Sequence, residues 1–501
     1  MNELLQLSAT ELVGLMASGR LSSRELTQAH LDRIADVNPL INAIATVDAE
    51  GALERADAAD RRRSEGADLP ALHGLPMTHK DTHKVAGMRS TSGSPALAHH
   101  VPANDDLIVA RLRAAGVVAT GKSNVPEFGA GSHTFNEVFG TTTNPYAPTR
   151  SAGGSSGGLA AALAARVQPL GEGSDMGGSL RIPASFCNVF GLRPSLGVIP
   201  MPSPNNAWAW LGRTGPMARR VEDLELFMSA VSGPAPELQL RAPLDAGDFG
   251  GPAPADLRGV RIGLTRDFGQ GVPVTAPMLA ALERAAAVLA SLGATVEEAT
   301  IDFAGADDVF GNTRAIDFAA ELGPLVESRP ELVKPEIIWN VEKGFALDAR
   351  QLIATTAAAS RLQARVREYF GRFDLLLSPG AQLEPFDAAI RYPRDVAGVP
   401  SRTYLDWMRS ACLLSATGLP TLAAPAGFTE NNLPAGIQLT AFHHRDAQLL
   451  RWARVYEAAT RYADVEPDLL GHATPDPAAG APAGTNGAGR PASDARAATA
   501  P

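Results

Sequence analysis

The sequence predicts an α/β protein, built either as one large domain or as a domain with a smaller subdomain, and three observations carry that expectation. Its 501 residues are 45% hydrophobic, enough to bury a large core. Helix-like and strand-like segments alternate along the chain, as where Leu107 to Ala115 leads into the short apolar strand Val117 to Thr120. A run of small apolar residues, Leu159 to Val167, has no polar face until Arg166, so as a helix it would be buried nearly all round.

The elements follow in order. Ser8 with Glu11 and Ser22 with Glu25 form capping boxes, which open helices running to about Ala17 and Ala35. Asp48 to Arg63, rich in alanine and charge, reads as a surface helix, and these three helices would wrap the outside of the core. Further on, Ala230 to Leu257 is rich in proline, alanine and glycine and reads as a surface connection. Val260 to Leu264 and Ala294 to Glu298 read as strands flanking the amphipathic helix Met278 to Leu292. Leu375 to Leu377 and Leu422 to Ala424 are further strands, and Asp446 to Tyr462 is a closing helix. From about His472 to Pro501 almost no large apolar residue occurs, and such a tail cannot bury enough surface to order itself.

Composition excludes several function classes. A net charge of −10 argues against general nucleic-acid binding. Cys187 and Cys412 are the only cysteines, which builds no disulfide framework and suits a reducing compartment. Met1 to Leu5 lacks the basic region and apolar core of a signal peptide, and no apolar run approaches transmembrane length, so a soluble cytoplasmic protein is expected. None of the ten histidines has metal-ligand spacing: His79 and His83 are four apart, but Lys80 between them is committed elsewhere and no third ligand follows. No metal and no cofactor are expected.

The chemistry concentrates in Ser151 to Arg181, where two glycine-flanked serine clusters bracket the buried run. Glycine and serine together commonly mark a turn or linker. A linker would not enclose a hydrophobic helix or end in the apolar stretch Ile182 to Leu192, so ordered backbone is the better reading. The helix N-terminus beside Ser155 and Ser156 favours developing negative charge. In Asp175-Met176-Gly177-Gly178-Ser179, two glycines let the backbone turn successive N–H groups toward one point, as an oxyanion hole requires, and Ser179 would be the nucleophile.

A serine nucleophile needs a base. Gly74 to Asp81 supplies Lys80, beside Asp81. A free lysine titrates near about 10.4, so keeping it neutral around pH 7 takes a differential interaction of about 4 kcal/mol, which burial can supply. If Met77 to Asp81 is extended, Lys80 points away from the face shared by His79 and Asp81, and the adjacent carboxylate need not hold the lysine charged. Taken alone, a Lys-Asp pair reads equally as a solvated strand end.

Two other patterns occur. Gly116 to Ser123 matches the phosphate-binding G-x-x-x-x-G-K-S, but strand-like residues lie between the glycines and Pro126 follows where a helix should begin. Gly153-Gly154-Ser155-Ser156-Gly157 matches the G-x-S-x-G of a nucleophile elbow. The preceding Asn144 to Arg150 is too polar and proline-rich for the central strand that motif needs, so a Ser-His-Asp esterase is disfavoured.

Together, G-x-P-x-x-x-K-D, G-G-S-S-G-G and D-x-G-G-S-x-R-x-P in that order closely resemble the amidase signature family of Ser-Ser-Lys hydrolases. Lys122 to Phe128, Phe139 to Pro145, Gly215 to Arg219 and Leu433 to Gln438 look like family segments too, and the resemblance runs from about Glu3 to about Tyr462. It implies a large mixed β-sheet covered by helices on both faces, with a smaller α/β subdomain. One domain would span residues 1–470, with a signature core at about 70–220, a smaller substrate-side region at about 258–400 and a disordered tail at 472–501.

The family's triad maps onto Lys80, Ser155 and Ser179, with Ser155 following a cis peptide bond. By the same resemblance, neutral Lys80 takes the proton relayed through Ser155 while Ser179 attacks the acyl carbon, and water later releases the acyl-enzyme. Met176, Gly177, Gly178 and Ser179 would supply the oxyanion N–H groups, supported by Gly154, Ser156, Asp175 and Arg181. Phe128, Gly129, Ala130, Trp208 and Trp210 are candidates for the substrate pocket. Trp339 and Trp407 are candidates as well, and for each of these aromatics ordinary core packing is the competing reading.

The expected function is hydrolysis of the amide bond of a small molecule, with esters or carbamates also open and with no nucleic-acid or membrane partner. A homodimer is left open. The alternative within the family is the glutaminase component of a tRNA-dependent amidotransferase, a branch with an acidic residue where this chain has Pro126. A non-catalytic binding protein would need a broken triad. Thr82 where asparagine is common, and Val198-Ile199 where glycine-arginine sequences are frequent, are the departures from the pattern, and they bear on substrate preference.

Overall fold

In the computed structural model, which describes residues 3–236, 238 and 240–470, an eight-stranded mixed sheet forms the centre. The tail expected to be disordered lies outside the described residues. Across the sheet the order is Thr295–Glu298, Arg261–Leu264, Leu375–Pro379, Pro434–Ala441, Thr421–Phe428, Phe190–Arg193, Arg213–Ala218 and Leu170–Asp175. The Arg261–Leu264 strand runs parallel to both of its neighbours, and every other pairing is antiparallel. Successive strand residues face opposite sides, and Pro434–Ala441 is buried at every position, so both faces of the sheet centre are covered.

The Gly157–Ala164 helix is buried along its whole length, as its lack of a polar face requires. Both capping boxes form, with Ser8 and Ser22 accepting from the N–H groups of Glu11 and Glu25. The second helix continues to Ile41 instead of ending near Ala35. Val37 and Ile41 are fully buried, and the chain stops only at Asn42, which takes the left-handed conformation at φ 46°. The helices Ala276–Ser291 and Asp446–Thr460 and the strands Arg261–Leu264, Thr295–Glu298, Leu375–Pro379 and Thr421–Phe428 match their expected places within a few residues, whereas Pro434–Ala441, expected only as a family segment, is a strand as well.

A separate three-stranded sheet is formed by Ile44–Val47, Val118–Ser123 and Pro76–Lys80. Its middle strand runs through Gly121, Lys122 and Ser123, residues that a phosphate-binding loop would place in a loop and a helix. Lys122 is fully buried, with Nζ on the carbonyl of His83 and 3.2 Å from Ser90 Oγ.

The region expected on the substrate side, about 258–400, adds three strands to the large sheet and, beyond the Ala276–Ser291 helix, three further helices, Ala306–Ser328, Pro335–Phe345 and Ala349–Phe370. The first two of these helices carry most of a second apolar cluster, distinct from the main core.

Candidate active site

Lys80 ends the Pro76–Lys80 strand, which is buried at every position. Its Nζ lies 2.8 Å from Ser155 Oγ, 2.9 Å from Ser156 Oγ and 2.9 Å from Ser174 Oγ. Burial pushes the amine down to about 7, although the Glu172 and Asp175 carboxylates favour its charged form. The alternation expected of an extended strand holds. Asp81 turns the other way, accepting from Thr91 Oγ1 at 2.5 Å and from the Gly93 N–H at 3.2 Å.

Ser155 follows a cis peptide bond from Gly154. At Gly154 a side chain is excluded, because a Cβ there would lie 2.9 Å from the backbone nitrogen of His133. The loop carrying Ser155 is tied to the Ser179 loop by the Ser156 N–H, which donates to the Ser179 carbonyl at 3.1 Å.

Asp175, the last residue of its strand, folds the Ser179 loop around its carboxylate. Oδ1 accepts from the Gly178 N–H at 2.9 Å and Oδ2 from the Leu180 N–H at 3.1 Å. Arg181 grips both oxygens at 3.0 Å and reaches on to Gln438 Oε1 and Ser415 Oγ, each at 2.7 Å. Burial opposes this anion, but the guanidinium groups of Arg181 and Arg193 hold its carboxyl well below the usual carboxylate range. One of the four expected oxyanion donors is thereby engaged: the Gly178 N–H already serves Asp175.

Sequence reasoning missed Glu172 and Ser174. They stand two apart on the strand that ends at Asp175, so both project to the Lys80 side. Glu172 accepts from the Lys80 backbone N–H at 2.9 Å, and its oxygens lie 3.2 Å from His79 Nδ1 and 2.6 Å from His83 Nδ1. Burial would raise this carboxyl, but His83 and His79 hold it down at about 2. A lone glutamate in the otherwise small and apolar stretch around Leu170 was the available signal.

Beside Ser155, a Cβ on Gly129 would stand 3.4 Å from its Oγ, so Gly129 forms the near wall. Phe128 and Met176 lie at the edge of the second apolar cluster, made of Ala130, Phe318, Val326, Val333, Ile337 and Val341. Over it, Arg314 stacks 4.2 Å from the Phe318 ring, with Nη1 3.1 Å from Met176 Sδ and Nη2 2.9 Å from the Tyr404 hydroxyl.

Of the five aromatics weighed for the pocket, only Phe128 joins this cluster. Trp208 is 64% exposed on a loop tied to Asp317 through Asn206, and Trp210 lines a different cavity with Arg213 and His443. Asn206 holds the Trp208 N–H and Asp317, and Arg213, which opens the next strand, binds the Trp210 carbonyl. Trp407 is core, against Phe186 and Phe386, and Trp339 packs edge-on to Tyr404.

Comparison with known proteins points one way. A family model described as Amidase matches residues 25–450. The chain is 34% identical to a glutamyl-tRNA(Gln) amidotransferase subunit from Thermosynechococcus vestitus, covering 89% of this chain and 97% of that one. To the acylamidase of Rhodococcus erythropolis it is 33% identical, covering 92% and 97%. Among solved structures, a bacterial aryl acylamidase of the amidase signature family superposes with a TM-score of 0.84 at 28% identity, covering 91% of this chain and 98% of that one.

Proposed function

The chain belongs to the amidase signature family, and from that premise we propose that it is an amidohydrolase cleaving carboxylic amide bonds through an acyl-enzyme on Ser179. The observation that carries the proposal is Lys80 Nζ, fully buried, 2.8 Å from Ser155 Oγ and brought down to about 7. A base with that titration is half neutral near physiological pH, where it takes a proton most effectively.

In the proposed cycle, Ser179 Oγ bonds to the acyl carbon and its proton passes to Ser155, whose own proton passes to Lys80. The oxyanion rests on the N–H groups of Met176, Gly177 and Ser179, since the Gly178 N–H is held by Asp175. Collapse breaks the C–N bond as the leaving nitrogen takes the proton back along the same relay. Water then attacks the ester, giving its proton to the relay, and the carboxylic acid departs as Ser179 regains its hydrogen.

The apolar cluster beyond Gly129 and Met176 supports an apolar acyl or aryl group on the substrate. Esters and carbamates undergo the same acyl chemistry and belong to the proposed range.

A second reading, a glutaminase that works only within a larger amidotransferase, is favoured by the likeness to amidotransferase chains. Pro126 and the apolar wall count against it, because glutamine offers a polar, charged acyl part.

The deciding experiment offers the purified protein an aliphatic amide, an anilide, a p-nitrophenyl ester, a carbamate and glutamine, with Ser179→Ala alongside. Amide or anilide cleavage that vanishes in the variant is expected. Turnover of glutamine alone, or none until a partner protein is added, replaces the proposal with the second reading.

A further inference from the structure

The sheet edge behind the nucleophile loop holds more buried positive charge than negative. Arg181, Arg193 and Arg213 are all at most 2% exposed, and the carboxylates buried with them are Asp175 and Asp446. Asp175 is spent on Arg181 and Arg193, as described above. Asp446 accepts from the Ser195 N–H at 2.7 Å and the Ser195 hydroxyl at 2.6 Å. Arg213 is left without an ion-pair partner among the described residues.

Its hydrogen bonds are one-sided. Nη1 binds the carbonyls of Trp210 and Gly212, while Nε and Nη2 are buried with no partner among the described residues. Those two atoms form the edge of a guanidinium that meets a planar oxyanion through two parallel hydrogen bonds. A guanidinium stays charged in proteins, and a buried charge left unpaired is costly.

Arg213 lines a cavity of about 230 Å³ together with Leu196, Trp210, Arg241, Gln363, His443 and His444. His444 also lines it, and its buried Nδ1 has no partner among the described residues. His443 is already committed, its Nε2 lying 3.0 Å from Gln363 Oε1. The volume corresponds to about eight waters, and Trp210 and Leu196 offer it apolar wall.

We propose that this cavity is a binding site, separate from the catalytic centre, for a small organic carboxylate: its carboxylate group held by the Arg213 guanidinium with His444 beside it, and its organic part against Trp210. The inference does not rest on the proposed amide hydrolysis. The site adjoins the Ser179 loop through the backbone, since Arg213 pairs with Asp175 across adjacent strands.

Inorganic phosphate shares the oxyanion chemistry, so calorimetric titrations of the full chain with benzoate and with phosphate distinguish the two sources. Benzoate is expected to bind wild type and Ser179→Ala alike, and phosphate less well, having nothing for the apolar wall. Arg213→Met should weaken benzoate by about 100-fold, and His444→Ala by about ten-fold, through lost charge-assisted hydrogen bonds. His444 is only half-buried, so its variant keeps the test open if Arg213→Met fails to fold. Benzoate binding that is unchanged in a folded Arg213→Met or in His444→Ala, that is lost in Ser179→Ala, or that is absent from wild type overturns the proposal. Phosphate binding more tightly than benzoate overturns the organic carboxylate as occupant.

Discussion

Lys80 Nζ and Ser155 Oγ stand 2.8 Å apart in a site where Lys80 is wholly buried and Ser155 is 2% exposed. Three further polar neighbours, Ser156, Ser174 and the Ser174 carbonyl, surround the amine, and none of them is a carboxylate. The amine is solvated by neutral oxygens, which lets burial lower its proton affinity while leaving it hydrogen-bonded.

If Ser179 carries the acyl group, Ser179→Ala abolishes turnover of every substrate the wild type cleaves. Lys80→Ala lowers kcat by about a thousand-fold or more, the scale of a lost general base. Mass spectrometry after rapid quenching with a slow ester substrate should find acyl mass on wild type and none on Ser179→Ala. Full activity in either variant would falsify the proposed roles.

Catalysis that requires neutral Lys80 gives kcat/KM an acid limb near pH 7, with activity falling as pH drops. The Glu172 anion favours the protonated amine. Glu172→Gln should therefore lower the Lys80 pKa and move the limb to more acid pH, measured from pH–rate profiles of the two proteins. A limb that stays in place or moves upward contradicts this electrostatic account.

Holding Lys80 neutral costs stability. Its folded pKa lies below its unfolded value of 10.5, so between about pH 7 and 10.5 the unfolded state binds more protons and stability rises with pH. The full swing is about 5 kcal/mol. Lys80→Met removes this dependence, so its melting temperature relative to wild type should be highest at pH 7 and below, and should decline toward pH 10. A constant difference across that range would remove the explanation.

Asp175→Asn leaves Arg181 and Arg193 buried with a neutral partner. Breaking such a pair costs about 3–5 kcal/mol, visible as a lowered denaturant midpoint. It also loosens the loop that carries Ser179, since Asp175 holds the Gly178 and Leu180 N–H groups. Activity should fall even under conditions where the variant is fully folded.

Ile337 is fully buried in the apolar cluster beyond Gly129. Ile337→Ala should cost about 2–4 kcal/mol of stability and, by opening space there, raise kcat/KM for bulky acyl groups relative to small ones. A series of anilides of increasing acyl size measures it, and a uniform loss across the series would place the substrate elsewhere.

Much of this protein was legible in the residues because the physics involved is local. The capping boxes at Ser8 and Ser22, the featureless apolar run after Ser156 and the alternation that separates Lys80 from Asp81 each depend on neighbours within a few positions. The ordered glycine-serine motifs carried the family resemblance in the same way. Only the tertiary structure could decide which distant groups share a site. Glu172 reaches Lys80 because two sheets place their strands side by side, and the Ala306–Ser328 and Pro335–Phe345 helices, far along the chain, meet Phe128 and Met176 to make the apolar wall. Trp208 and Trp210 show the same limit in reverse: their composition suits a pocket, but their loop is held by contacts to distant residues, such as Asn206 to Asp317. Arg213 itself, one more arginine in the sequence, becomes significant only where packing has taken away its solvent and left it without an ion-pair partner among the described residues.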